Sequence, residues 1–194
     1  TLKDYEIIVV SGRGTPGSSA ARNLGLKLSK ARFVAFLDDD AYPEPDWLEQ
    51  LMLAYEKSGG DVIENTVVAP KSTFYGFESR LKDLQPKTLA NFALYPRHVI
   101  EKVGLFDERF DPRTMNEIDY SLRIREAGFT IRHSDKARTV HQARKREFRS
   151  RGFHLRALVF FMAKHPFQAF LILLMVFPLT HWFWARYISE NPAL

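Results

Sequence analysis

Three consecutive aspartates, Asp38, Asp39 and Asp40, follow the apolar run of residues 33–37 in RFVAFLDDDAYPEPDWLEQL. Neighbouring carboxylates repel one another, and each loses hydration beside an apolar wall. Two arrangements relieve that: a solvated turn, or a bound cation. Oxygen-only donors select Mg²⁺ or Mn²⁺ over zinc or copper. The chain contains no cysteine, which removes disulfides and thiolate metal sites from consideration. Taken alone, a triple aspartate fits the solvated turn as well as the ion. Its place at the end of a strand-like run and ahead of a helix-like one favours the ion.

The elements that must position these acids alternate along the first 142 residues. Strand-like runs are read at 5–10 (YEIIVV), 32–37 (RFVAFL), 61–68 (DVIENTVV), 89–96 (LANFALYP) and 129–141 (FTIRHSDKARTVH). Helical spacing is read at 18–30, with Ser18 as a suitable cap, and at 43–59. The second of these places Trp47, Leu48, Leu51, Met52 and Tyr55 on one face and ends at Gly59. Further helices are read at 75–84, 97–104 and 116–128, the last closed by Gly128. Strands alternating with helices predict an α/β domain with a mainly parallel, Rossmann-like sheet covered on both faces. Ligands of such sheets bind outside the carboxyl ends of the strands. Asp38, Asp39 and Asp40 stand at such an end, where a phosphate-bearing ligand and a divalent ion are expected.

With 194 residues, 45% hydrophobic and 26% charged, the chain has the composition of a folded protein. It opens at Thr1 without a signal-like start, as expected of a piece from inside a longer protein. Residues 144–156 hold six basic residues against one acid, which equals the net +5 of the whole chain. Next comes FQAFLILLMVFPLTHWFWA, residues 167–185, without a charge. That length is close to the minimum for a bilayer span, and Trp182 and Trp184 resemble an interfacial belt. Residues 143–194 are therefore expected to form basic amphipathic and hydrophobic helices at a membrane surface, with a helix packed on its own domain as the plainer alternative. The basic flank would keep the preceding domain on the cytoplasmic side. A nucleic-acid partner is not expected, because the basic patch abuts an apolar tail and no binding motif accompanies it.

Four segments in order, AARNLGL, FLDDDAYPEPDWLEQL, NFALYPRHVIEKVGLFDERF and NEIDYSLRIREAGF, resemble family 2 glycosyltransferases of the GT-A fold over residues 5–142. The resemblance implies a nucleotide-sugar donor, a divalent metal held by a D-x-D motif, and inverting transfer to an acceptor hydroxyl. A polyprenyl phosphate, a lipid-linked glycan or a growing polysaccharide would supply that hydroxyl. By resemblance, Asp40 is the direct metal ligand, Asp38 contacts ribose or metal, and Asp39 lies in the donor site. Arg22 lines the nucleotide pocket, and His141 is a third metal or diphosphate contact. Glu117 takes the place of the catalytic base, Asp119 is a second candidate, and Asn116 stands where the family carries another acid.

Each residue also has a plainer reading. Glu117 and Asp119 suit the positive end of a helix dipole, Arg22 suits a surface ion pair, and a lone histidine is more often structural. The sequence departs from the family in lacking its opening P-x-Y-N type motif. Ser11 and GRGTPG stand where an aspartate and a long connection are usual, so the nucleobase pocket is expected to be incomplete. GRGTPG also lacks the G-K-[ST] ending of a phosphate loop and reads as an ordinary loop. Other classes weighed are a nucleotidyltransferase-like nucleotide-sugar enzyme, whose glycine-rich lysine signature is absent, and a non-catalytic membrane-binding module.

Overall fold

The computed structural model describes residues 4–11, 17–59, 61–68, 92–111, 115–141, 151–167 and 170. The chain divides into two compact units, Thr1–Ser150 and Arg151–Leu194. In the first, chain order is α1 (Ser18–Leu28), β1 (Phe33–Ala35), β2 (Ala41–Pro43), α2 (Trp47–Ser58), β3 (Val62–Val68), β4 (Ala93–Pro96), α3 (Arg97–Val103), a 3₁₀ turn (Glu108–Phe110), α4 (Asn116–Glu126) and β5 (Ile131–His141).

The strands form one sheet in the order β1-β4-β3-β5-β2. The expectation of a mainly parallel sheet needs correction. Only β3 and β5 run parallel, while β1–β4, β3–β4 and β2–β5 are antiparallel, so the described sheet is mixed. The tight turn after β1 is the reason at one edge: it sends the chain back as the short strand β2, where Pro43 pairs opposite Thr139 of β5. Residues 41–43 are thus a strand rather than a lead-in to the helix, and α2 starts at Trp47. Proline is tolerated there because β2 is an edge strand.

Residues 4–11 form no strand. β1 is the other sheet edge and has β4 as its neighbour, so YEIIVV finds no ladder among the described residues. Tyr5, Ile7 and Val9 stay exposed as a result. The expected helix at 75–84 and the start of the strand expected at 89–96 lie outside the described residues.

Successive strand residues point to opposite faces, which divides the core in two. Val62, Ala93 and Tyr95 face Leu26 of α1, Val99 and Ile100 of α3, and Tyr120 and Ile124 of α4. Ile63, Leu94 and Ala137 face Trp47 and Leu51 of α2, with Leu48, Met52 and Tyr55 packed around them. The apolar face expected of α2 is therefore the one it buries. Truncating fully buried Leu51 to alanine would cost about 2–5 kcal/mol. Gly59, Gly104 and Gly128 end helices with φ of 81°, 84° and 90°, a region costly for any residue with a Cβ.

The second unit contains α5 (Arg151–Lys164). Among the described residues no helix is long and apolar enough to cross a membrane. Most of residues 167–185, and the basic residues before Arg151, lie outside the described residues.

Candidate active site

Beyond β1 the chain leaves the sheet and turns, closed by the Ala41 N–H donating to the Asp38 carbonyl at 3.2 Å. The turn sets Asp38 and Asp40 half-buried and Asp39 exposed. The three acids are thus not equivalent. β2 then pairs Ala41 with His141, so the backbone of position 141 lies across from the residue next to Asp40.

α1 brings the cation. Its Arg22 side chain is 8% exposed, and Nη1 donates to Glu117 Oε1 at 3.0 Å while Nη2 lies 3.6 Å from Asp38 Oδ1. A guanidinium so buried needs counter-charge, and these two carboxylates supply it from separate elements. The Phe106 ring lies 5.5 Å beneath the guanidinium carbon. The next residue, Asn23, fixes the helix: its amide donates to the Phe106 carbonyl at 2.9 Å and accepts from the Phe106 N–H at 2.9 Å. Residues Arg22 and Asn23 of the AARNLGL segment thus have distinct tasks, one electrostatic and one that locks α1.

The start of α1 is held from far along the chain. Ser18 is the first helical residue rather than the cap, and no local side chain caps the helix. Asp111 does so instead, accepting from the Ser19 and Ala20 N–H groups at 3.0 and 3.1 Å. A Cβ on Gly17 would collide with the Asp111 carboxyl group, which accounts for glycine at that position. Asn116, buried at the start of α4, donates to the hydroxyls of Ser18 and Ser19, both at 3.0 Å, and accepts from the Glu117 N–H at 3.1 Å. An amide that both donates and accepts suits this place in a way an acid would not.

Just before Asn116, Met115 has φ 67°, the only non-glycine with positive φ among the described residues. Backbone of this kind costs about 1–3 kcal/mol and persists where surrounding contacts over-determine it. Here it delivers Glu117, one quarter exposed, to Arg22.

Asp119 goes elsewhere. Two residues further round α4, it is fully buried and accepts from Arg123 Nε at 2.9 Å. Arg123 also donates to the carbonyls of Val103 and Leu105. This is a clamp between α4 and the segment after α3, and Asp119 stands apart from the Arg22 cluster.

An aromatic layer lies under the site. Phe106 stacks on Tyr120 at 4.0 Å, and Phe36 meets Tyr95 and Phe106 edge-on. Burial pushes the Tyr120 phenol up to about 12, against the lowering effect of Arg123, and its hydroxyl donates to the Gly104 carbonyl at 3.0 Å. Burial, with Tyr120 adding to it, raises Tyr95 further still. Both phenols remain neutral at physiological pH and serve as floor rather than as proton acceptors.

The structure brings together Arg22, Asp38 and Glu117, sets Asp40 half-buried in the same turn, and leaves Asp39 in solvent. No group of three or more histidine, cysteine or acidic side chains is arranged to hold a metal among the described residues. The fit of a cation rests on the donors themselves. Asp38 and Asp40 offer oxygen atoms only, and two carboxylates suit a hard divalent ion completing its shell with ligand phosphates and water. Sequence reasoning missed Gly17, Asn23, Asp111 and the structural task of Asn116. Only Asn116 carried a signal, as an amide where an acid was expected.

A mixed sheet flanked by helices on both faces, with half-buried acids in the turn after β1, is a GT-A-type fold. A solved structure of GalNAc-T7 with UDP, GalNAc and Mn²⁺ aligns with a TM-score of 0.52 at 14% identity, covering 66% of this chain and 31% of that one. The sequence pattern of Glycosyl transferase family 2 matches residues 1–140, and the chain belongs to that family. It is similar to a glucosyl-dolichyl phosphate glucuronosyltransferase of Haloferax volcanii, at 30% identity over 135 residues, 60% of this chain and 41% of that protein. Over 41 residues, 21% of this chain and 16% of the other, it is 44% identical to an Escherichia coli protein. That protein is the UDP-Glc:alpha-D-GlcNAc-diphosphoundecaprenol beta-1,3-glucosyltransferase WfaP. The chain spans less than half the length of each of these relatives. The family is named for glycosyl transfer.

Proposed function

We propose that this chain is the donor-binding catalytic part of an inverting glycosyltransferase that uses Mg²⁺ or Mn²⁺. It moves a sugar from a nucleotide-sugar donor to a hydroxyl of a lipid-linked or glycan acceptor at a membrane. The observation that carries this reading is the bridge from Asp38 through Arg22 to Glu117, which joins the acidic turn after β1 to a one-quarter-exposed carboxylate at the start of α4.

In this reading Asp40 and Asp38 hold the divalent ion, with His141 as a third contact, and Asp39 borders the donor. A cation held there supplies positive charge against the diphosphate as it leaves. Arg22 lines the nucleotide side of the pocket. Glu117 accepts the proton of the attacking acceptor hydroxyl through its carboxylate. One carboxylate acting as base, with no covalent sugar–enzyme bond, gives inversion at the anomeric carbon. The floor of Tyr95, Phe106 and Tyr120 excludes water from below the reacting groups.

Support for a lipid-linked acceptor comes from the two relatives named for dolichyl phosphate and diphosphoundecaprenol. The concentration of basic charge at residues 144–156, followed by the uncharged run 167–185, fits a membrane-facing tail with the catalytic unit on the cytoplasmic side. The experiment is a melting curve of the full chain with UDP, with Mn²⁺, and with both. Stabilisation by UDP that requires Mn²⁺ supports the reading. UDP stabilisation indifferent to EDTA, or none under any condition, rejects it.

A further inference from the structure

We propose that Arg22 is the internal counter-cation of the acidic site, which holds Asp38 until a divalent ion arrives and then hands it over while keeping Glu117 in place. The inference deepens the proposed function and rests on its reading of Asp38 and Asp40 as the cation site.

The two ion pairs of Arg22 are unequal. Toward Glu117 the contact is a charge-assisted hydrogen bond at 3.0 Å; toward Asp38 it is a 3.6 Å ion pair, longer than a hydrogen bond. The weaker partner is the one that sits in the D-x-D turn. The anchors of the cluster are unequal too. Arg22 stands on a helix fixed by Asn23 to Phe106, and its guanidinium rests on the Phe106 ring. Glu117 stands on a helix start fixed by Asn116 to Ser18 and Ser19. Asp38 belongs to a turn whose backbone closure is a 3.2 Å bond and whose middle residue, Asp39, is exposed. When a second cation competes for Asp38, the turn is the part that gives way.

Two consequences follow. The site is already partly neutralised before any ion binds, so the aspartates tolerate one another without it. Glu117 meanwhile keeps its 3.0 Å tie whether or not the ion is present, which makes Arg22 a positioning residue for it. The arginine and the ion are competitors for one carboxylate, so removing the arginine favours the ion.

The test is calorimetric titration of the full chain with MnCl₂ alone, comparing wild type with Arg22→Gln and Arg22→Lys. Glutamine removes the charge and keeps a donor for Glu117. Lysine keeps the charge, but as a point that cannot fork between two carboxylates. The expected order of Mn²⁺ affinity is Arg22→Gln tightest, by about tenfold over wild type, with Arg22→Lys between them. Should glutamine prove unstable, Arg22→Met gives the same charge removal with a different shape. Lysine equal to wild type would mean that the field of the charge acts alone, and the hand-over is overturned. Unchanged or weaker binding in Arg22→Gln overturns the competition altogether while leaving the metal site standing. Absence of Mn²⁺ binding in all the proteins overturns the metal reading beneath it as well.

Discussion

Replacing Asp119 by asparagine decides which acid of NEID faces the chemistry. The two side chains have nearly the same shape, so no cavity forms and the loss is one of charge. Asp119 is fully buried, and its partner Arg123 is one-fifth exposed at 2.9 Å. Arg123 cannot swing into water, because the Val103 and Leu105 carbonyls hold its other nitrogens. Removing one partner of a fully buried pair costs about 3–5 kcal/mol. The partial exposure of Arg123, and the amide oxygen that can still accept, bring this to roughly 2–3 kcal/mol. At about 2–4 °C per kcal/mol for a chain of this size, the melting temperature should fall by roughly 4–12 °C. Mn²⁺-dependent UDP binding, measured well below the variant's transition, should match wild type. Scanning calorimetry and titration of one preparation give both numbers. A variant that melts like wild type yet has lost turnover would refute the argument, because Asp119 would then reach the substrate and Glu117 would not be the base.

Glu117→Gln should show the opposite pattern, with turnover lowered about 10²–10⁴-fold and metal-dependent UDP binding kept; normal turnover would remove Glu117 from the chemistry. Asp40→Ala should abolish Mn²⁺-dependent UDP stabilisation while the exposed Asp39→Ala leaves most of it; equal, small effects would return the triple aspartate to a solvated turn. Gly17→Ala should displace the Asp111 carboxyl group from α1 and lose about 1–2 kcal/mol, the worth of a helix cap. Asp111→Ala should lose a similar amount, and a double variant showing the full sum of both losses would refute a shared cause. Removing residues 167–194 should release the protein from anionic vesicles without changing its Mn²⁺-dependent UDP binding; retention after high salt and alkaline carbonate would place the anchor elsewhere.

Local chemistry made some of this legible in the sequence. Trp47, Leu48, Leu51, Met52 and Tyr55 marked the buried face of α2 because helical spacing is set within a few residues. Gly59 and Gly128 marked helix ends for the same reason. Strand direction was hidden, since an apolar run reads alike in parallel and antiparallel ladders. Pro43, Glu44, Pro45 and Asp46 looked like a helix start, yet Pro43 pairs with Thr139, a partner no local window contains. Grouping Arg22, Asp38 and Glu117 required the family resemblance; their separate charges would each have suited a plain surface. Glu117 and Asp119 read alike as acids at one helix start; their separate partners, Arg22 and Arg123, became visible only in the structure, because the residues that meet each side of a helix come from distant parts of the chain.

The cap on α1 has a consequence for how the chain is made. Ser19 and its acceptor Asp111 are 92 residues apart. At about 5–20 residues per second, a ribosome completes Asp111 roughly 5–20 s after Ser19. Throughout that interval the first helix has neither its cap nor the Asn116 and Glu117 contacts that fix its polar residues. Nascent chains stalled short of Asp111 should therefore leave Ser18–Leu28 open to protease, and chains stalled with Glu117 clear of the exit tunnel should protect it. The site is then finished in one event, when the newly made segment bearing Glu117 closes over a helix that has been waiting for it.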